Sequence, residues 1–236
     1  MTGTLTLLSL AALAFLGSHF LMSSQPVRDP LVKKLGQNGF LSFYTIVSIP
    51  LMVWLVLAYS NAPEIVYWEP PTYLRHWTLS FMIVACIFFA ASLTPKNPTL
   101  AGTPKNKMTG CPMGIFRITR HPMMWGIGIW GLTHLLAKGD GASFIFFGAM
   151  TILALLGPLL IDRRKARLLG DEWQEYAAQS SYIPFAAIIS KRTKFCGEEI
   201  SWLPVMLGAV LYLSLLILHE TLFGIAPMSW VSNLFD

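Results

Sequence analysis

Apolar residues fall in six long runs along the 236-residue chain, and shorter polar stretches separate them. Runs with so few charged residues predict transmembrane helices, because an apolar helix of roughly 20 residues crosses the hydrocarbon core of a bilayer. The predicted spans cover residues 4–22, 40–59, 77–93, 122–137, 143–161 and 202–223. The fourth is the shortest. We therefore predict an all-α, polytopic membrane helix bundle of about six transmembrane helices, forming one domain over residues 1–236.

Composition and charge distribution support a membrane protein. Hydrophobic residues make up 54% of the chain and charged residues 12%, a balance too apolar for an ordinary soluble domain. All but two of the 17 basic residues lie in the connections after the first, third and fifth spans; the exceptions are Arg75 and Lys138. The positive-inside rule then predicts cytoplasmic basic connections and both termini on the outer side. The bilayer, and not nucleic acid, is the expected partner of this charge.

Few titratable groups lie inside the predicted spans, and this disfavours several membrane functions. No lysine lies in a span, which argues against a retinal Schiff base. Glu220 is the main carboxylate at membrane depth, whereas proton pumps and ion-coupled transporters need more such groups. The remaining polar groups of interest are the histidines His19, His134 and His219.

The segment that leads into the fourth span predicts an anion-binding helix start. Pro122 suits the first turn of a helix, and His121 then occupies the cap position. The free N–H groups of a helix start carry partial positive charge, to which Arg117 and Arg120 add two full charges. We expect this end to attract a lipid phosphate, a cofactor carboxylate or a nucleotide.

The same helix carries Gly128, Gly131 and His134 at a spacing of three, so the three residues lie roughly along one ridge. Two glycines beside an imidazole leave room for a flat ligand against the backbone. The alternative is that these glycines only allow close packing of neighbouring helices, as small residues commonly do in membranes. Both interpretations stay open at this point.

Helix lengths indicate which imidazoles can share a ligand. If Arg28 and Arg120 mark the same boundary, His19 lies about 13 Å and His134 about 21 Å from it at 1.5 Å per residue. Two imidazoles with that offset can bind opposite sides of one tilted porphyrin, because haem iron takes imidazole ligands. His134 and His219 both lie near the outer side and form the competing pair. The adjacency of the helices decides between these pairs.

Several motifs, specific when taken together, indicate a family. They are Gly17-Ser18-His19-Phe20, Ile118-Thr119-Arg120-His121-Pro122, Thr133-His134, Asp162-Arg163-Arg164 and Ile183-Pro184-Phe185-Ala186. They resemble the NnrU family of bacterial membrane proteins, which is also the domain of plant 15-cis-ζ-carotene isomerase. The resemblance implies a multi-pass protein of the bacterial inner membrane, with periplasmic termini and bound haem b.

The resemblance also implies site residues, with His19 and His134 as axial iron ligands and catalytic groups. The residues that we place at the haem are His19, His134, Arg117, Arg120, His121, Gly128 and Gly131, with His219 as a less favoured iron ligand. Gly131 stands where the plant isomerase has a cysteine, which puts thiolate ligand switching in doubt.

The reaction implied is redox-dependent cis–trans isomerisation of a polyene, in which reduced iron lowers the order of one double bond. The alternative is a non-enzymatic haem protein of nitric oxide and nitrite metabolism, linked to denitrification by sensing or electron transfer. The expected partners are a hydrophobic small molecule or nitric oxide, and an electron donor.

A wider resemblance concerns the isoprenylcysteine carboxyl methyltransferases. Arg120-His121-Pro122 followed by Gly126, and the later segment 169–176, resemble the region in which those enzymes bind S-adenosylmethionine at the cytoplasmic face. We interpret this as shared ancestry of a binding cradle rather than retained methyl transfer. A membrane methyltransferase is thus the third functional hypothesis.

Overall fold

The computed structural model describes residues 3–94, 97, 99 and 110–227. Apart from one isolated bridge between Val66 and Asp140 and one 3-10 turn at Gly197–Glu199, the regular structure of this part of the chain is α-helical. The helices are α1 Leu5–Ser23, α2 Gln25–Asn61, α3 Thr72–Ser92, α4 Ile115–Ile118, α5 Pro122–Ala137, α6 Gly141–Leu169, α7 Asp171–Gln179, α8 Ala186–Ile189 and α9 Trp202–Phe223. The predicted all-α membrane bundle is confirmed.

Five of the described helices, α1, α2, α3, α6 and α9, are long and apolar enough to cross a membrane. The fourth predicted span is a helix at the predicted position, α5, but its 16 residues give a length of about 24 Å. That is shorter than a hydrocarbon core of about 30 Å. The described residues therefore support five spans by length instead of six. The placement of both termini on the outer side stays a prediction.

Two helices extend well beyond their predicted apolar segments. Helix α2 begins at Gln25 instead of residue 40, with one interruption at Gly36, where φ is 73° and ψ is 170°. Glycine adopts this backbone conformation without the steric penalty of a Cβ atom. Helix α6 continues to Leu169 instead of ending at residue 161, because the polar stretch after the apolar run is rich in the good helix formers Arg, Lys, Ala and Leu.

Helix α6 divides the bundle into two parts. It packs against α1 on one side and against α5 on the other, while α2 packs on α1. Helix α3 packs against both α5 and α9. The main apolar core lies between α1, α2 and α6, where Leu8, Phe15, Leu55 and Phe146 are buried. The second part, formed by α3, α5 and α9, carries the candidate site.

Glycines allow α5 to approach both of its neighbours closely. A Cβ atom on Gly126 would lie 2.8 Å from the carbonyl oxygen of Ala85 in α3, and one on Gly131 would lie 3.1 Å from that of Phe147 in α6. A Cβ atom on Gly128 would lie 3.2 Å from a flexible leucine side chain of α6. The helix-packing interpretation of Gly128 and Gly131 accounts for these contacts, and their contact with a cofactor stays a prediction.

Candidate functional site

An apolar groove lies between α3, α5 and α9. Its cavity of about 270 Å³ is lined entirely by apolar residues, among them Met82, Phe89, Ile127, Trp130 and Leu215. Gly126 also borders it, at the point where α5 and α3 come closest. Apart from the indole N–H of Trp130 and the thiol of Cys86, the groove therefore offers an apolar ligand dispersion contacts alone.

A second cavity, of about 160 Å³, lies one helical turn further along the same three helices. Thr78 comes one turn before Met82 in α3, and His134 comes one turn after Trp130 in α5. Arg75, Thr78, His134, Lys138 and His219 are among its lining residues. We call this region, where α5 ends, the histidine end, and the opposite region, where α5 begins, the basic end.

The two imidazoles of the histidine end lie face to face in similar orientations. The ring centres of His134 and His219 are 6.5 Å apart, with 21° between the ring planes. Nδ1 of His134 lies 2.8 Å from the carbonyl oxygen of Trp130, and Nδ1 of His219 lies 2.7 Å from that of Ile225. Because a carbonyl oxygen only accepts, each Nδ1 carries the proton and each Nε2 presents a lone pair.

Within the described part of the chain, neither Nε2 atom of this pair has a hydrogen bond. Metal-ligating histidines often have this arrangement, but a helix also favours it locally, since Nδ1 of His19 and of His76 lies 2.8 and 3.1 Å from the carbonyl oxygen four residues earlier. The histidine end therefore presents two ligating atoms whose tautomers are already set.

His19 lies elsewhere, in the α1, α2 and α6 part of the bundle. Its ring packs against Phe15 and Tyr44, with centre distances of 4.2 and 5.4 Å, and lines neither the groove nor the histidine-end cavity. His19 lies near the C-terminal end of α1, at the basic end of the bundle. His134 lies near the C-terminal end of α5, at the histidine end. The structure thus brings together His134 and His219, the competing pair, and not His19 and His134, whose shared ligand stays a prediction.

At the basic end, Arg117 is engaged by a carboxylate. Its Nε donates to Oε2 of Glu199 and its Nη2 to Oε1, both at 2.7 Å, and Nη1 donates to Thr193. The N–H of Gly114 also donates to Glu199, at 2.9 Å. These donors, Arg117 first, lower the pKa of Glu199 to about 2. This ion pair joins the segment before α5 to the segment before α9.

Arg120 and His121 share a second carboxylate, that of Asp162 in α6. Nε of Arg120 donates to Oδ2 at 2.9 Å, and Nε2 of His121 lies 2.7 Å from Oδ1. Only 1% of the His121 surface is exposed. The anion-binding role predicted for Arg117, Arg120 and His121 stays a prediction, since Glu199 and Asp162 already neutralise these groups.

The two segments that resemble methyltransferases do come together. Trp173 and Tyr176 of α7 are buried, and the charges of Arg120 and Asp162 act on the Tyr176 hydroxyl. Burial raises the pKa of Tyr176 above its usual value. Methyl transfer at this place stays a prediction.

Comparison with known proteins identifies the family. The family model described as NnrU protein matches residues 7–227. The chain belongs to the NnrU protein family. Curated relatives are 15-cis-zeta-carotene isomerase, chloroplastic, from Arabidopsis thaliana, 29% identical over 70% of this chain and 46% of the relative, and that from Zea mays, 29% identical over 71% and 47%. The chain spans about half the length of these relatives, and no solved structure matches it.

Resemblance to the NnrU family implies haem b, and the histidine end offers such a group two imidazole nitrogens. Each metal–nitrogen bond is about 2 Å, so two imidazoles that would hold one iron would have ring centres roughly 6 Å apart with their Nε2 atoms facing each other, whereas these two rings are stacked face to face. The separation of His134 and His219 is 6.5 Å, and Arg75 and Lys138 in the same cavity suit haem carboxylates. The cavity of about 160 Å³ is smaller than pockets that enclose a whole ligand, which begin near 300 Å³.

A bare metal ion fits the histidine end less well than haem iron. Among the described residues there is no group of three or more His, Cys, Asp and Glu side chains that would hold such an ion. A porphyrin supplies four further nitrogen ligands, so two imidazoles complete the coordination of its iron. Haem at the histidine pair stays a prediction.

Proposed function

We propose that this protein is a membrane-embedded cis–trans isomerase of a carotenoid-like polyene, with haem b bound through His134 and His219. One observation carries the proposal: an apolar groove between α3, α5 and α9 leads to two imidazoles whose Nε2 atoms are available. The two curated relatives, both named 15-cis-zeta-carotene isomerase, support the class of substrate.

The groove suits a long hydrocarbon chain. A polyene forms no hydrogen bonds with the protein, and inside a bilayer it gains little from leaving water, so shape and dispersion decide its binding. Phe89 at one end and Trp130 near the other provide aromatic surfaces. From Phe89 to Thr78, the residues of α3 that line the two cavities extend over about 16 Å. A polyene held there reaches the histidine end.

Haem b held by His134 and His219 would supply reversible electron donation to a conjugated double bond, a chemistry with no net oxidation. The chain's own residues then have three tasks. The carbonyl groups of Trp130 and Ile225 hold the imidazoles in the ligating tautomer. The apolar groove excludes water and holds a segment of the polyene. Trp130, whose ring centre lies 5.6 Å from that of His134, connects the groove to the histidine pair.

The test is expression of the protein in a bacterial host that accumulates a 15-cis polyene, with the isomer ratio measured by chromatography. Wild type is expected to convert the cis form, and His134→Ala is expected to lose conversion. His76→Ala is the matched control, since His76 is an exposed histidine near the same end of α3. An unchanged isomer ratio with membrane-inserted wild-type protein would contradict the proposal.

Two other outcomes would replace isomerisation by a rival function. A visible spectrum that shifts with nitric oxide, in a protein that leaves every polyene unchanged, would favour a role in nitric oxide or nitrite metabolism. Binding of S-adenosylmethionine without a Soret band would favour methyl transfer. An electron donor and a location in the bacterial inner membrane belong to the proposal, while the curated relatives are chloroplastic.

A further inference from the structure

A separate cavity of about 250 Å³ lies at the basic end, between α1, α2, α6 and the start of α5. Arg28 and Arg164 are its charged lining residues, and its polar lining consists of Ser23, Gln37, Tyr44, Asn97, Thr99 and His121. Much of the remaining wall is apolar, with Met22 and Phe40 among its residues. This cavity shares no lining residue with the groove or the histidine-end cavity.

Arg28 is buried in this cavity with part of its guanidinium unused. The residue is only 6% exposed, and its Nη2 donates to Gln37 at 3.0 Å. The guanidinium carbon lies 4.9 Å from the ring centre of Phe40. Its Nε has no hydrogen-bond partner among the described residues. A buried N–H without an acceptor is costly, so this position calls for an acceptor from a ligand.

The charges of Arg28 and Arg164 have no carboxylate partner in the described part of the chain. Arg117 and Arg120, by contrast, each bind a carboxylate at the same end of the bundle. Two guanidinium groups that line one cavity without counter-charge favour an anion between them, because guanidinium groups form paired hydrogen bonds with phosphate or carboxylate oxygens.

His121 adds an acceptor to these donors. Its Nε2 lies 2.7 Å from Asp162, and because a carboxylate only accepts, Nε2 carries the proton in the neutral ring. Nδ1 then presents a lone pair, and this buried atom has no partner among the described residues. The cavity therefore combines two cations, uncharged polar side chains and apolar walls.

We propose that this cavity binds the phosphate of an anionic phospholipid. Arg28 and Arg164 hold the phosphate oxygens, and the upper acyl chain lies against Met22 and Phe40. The position fits this ligand, because the basic end of the bundle is where basic side chains meet a bilayer surface that carries anionic lipids.

The first experiment measures which anion binds. The full chain in detergent is titrated with phosphatidylglycerol, with phosphatidylcholine of the same acyl chains and with inorganic phosphate, and thermal melting and native mass spectrometry are recorded. Phosphatidylglycerol is expected to raise the Tm and to give bound adducts at concentrations where the other two do not. Equal stabilisation by phosphatidylcholine, or by inorganic phosphate, would overturn the assignment of an anionic lipid.

The second experiment locates the site. Arg28→Gln and Arg164→Gln are each expected to weaken the binding of phosphatidylglycerol about tenfold, since each removes a charged hydrogen bond. Arg163→Gln is the matched control: it removes the same charge from an exposed neighbour that does not line the cavity. If Arg28→Gln does not fold, Arg164→Gln, at a half-buried position, still provides the test. Wild-type affinity in Arg164→Gln, or equal weakening in Arg163→Gln, would overturn the proposal.

Discussion

The basic end and the histidine end of the bundle satisfy their polar groups in different ways. At the basic end, Arg117 binds Glu199, and Asp162 binds both Arg120 and His121. At the histidine end, each imidazole uses one nitrogen on a backbone carbonyl and leaves the other available. Arg117 and Arg120 mainly hold helices in place, whereas the imidazole nitrogens available to a ligand lie at the histidine end.

The two carboxylates of the basic end determine where segments meet. Glu199 joins the approach to α9 to the approach to α5, and Asp162 joins α6 to the start of α5. Partly exposed ion pairs contribute modest stability, but bidentate geometry fixes position. The position of α5, and with it that of His134, depends on these contacts.

The largest expected effect lies at the histidine end. His219→Ala should lower polyene conversion by about a hundredfold or more, because it removes a proposed iron ligand, and even outer-shell changes at metal sites cost 10- to 100-fold. The measurement is the isomer ratio per amount of membrane-inserted protein. Conversion at the wild-type rate in His219→Ala would contradict the proposed role of His219. The two ends of the bundle would then not differ in chemistry.

The next effect lies at the basic end and concerns stability. Asp162→Asn should lower the free energy of unfolding by about 2–3 kcal/mol, because it leaves Arg120 and the buried His121 without their charged partner, a loss that costs about 3–5 kcal/mol when the pair is fully buried. Thermal melting measures this change. Asp29→Asn is the control, because its pair with Arg167 is exposed and contributes about 1 kcal/mol at most. Equal melting temperatures of Asp162→Asn and Asp29→Asn would contradict the structural role of Asp162.

A smaller effect should come from the packing that builds the groove. Gly126→Ala places a Cβ atom 2.8 Å from the Ala85 carbonyl oxygen and should cost about 1–3 kcal/mol, because backbone has to move. Gly17→Ala is the control, since no atom lies within 4 Å of its added Cβ and alanine favours a helix. We expect the first variant to melt lower and the second to melt at or above the wild-type temperature. The reverse order would mean that α3 and α5 are less closely packed.

The smallest effect concerns pH at the basic end. The pKa of Glu199 is lowered from 4.5 to about 2, so its pairing with Arg117 contributes stability that is present above pH 4.5 and is lost as pH falls through about 2. The difference in Tm between wild type and Glu199→Gln should therefore persist above pH 4.5 and shrink towards pH 2. Glu198→Gln, a change at the exposed neighbour, should show no such trend. A difference in Tm that vanishes already near pH 4.5 would contradict the ion pair between Arg117 and Glu199.

The helices were largely predictable from sequence because apolar length marks the membrane part of each one. Residues 122–137 and 202–223 match α5 and α9, since Pro122 and Gly224 mark a start and an end. Hydropathy does not report where a helix continues through polar residues, so α2 and α6 extend beyond their predictions. The pairing of His134 with His219 depends on how α9 packs on α3, which no periodicity encodes.

Several site residues were missed for physical reasons. Asp162 opens a basic run directly after an apolar span, and this isolated acidic residue was the available signal for a partner of Arg120 and His121. Glu199 stands in a basic connection and carried a similar signal for Arg117. The burial of Arg28 had no signal, because a boundary arginine in sequence is as consistent with exposure as with a cavity wall.

The most direct test of the account is the absorption spectrum of the purified protein beside His19→Ala and His219→Ala. We expect a Soret band in wild type, the same band in His19→Ala, and a band that is shifted or absent in His219→Ala. Loss of the band in His19→Ala with full retention in His219→Ala would contradict the histidine end as the haem site and would favour the pair His19 and His134.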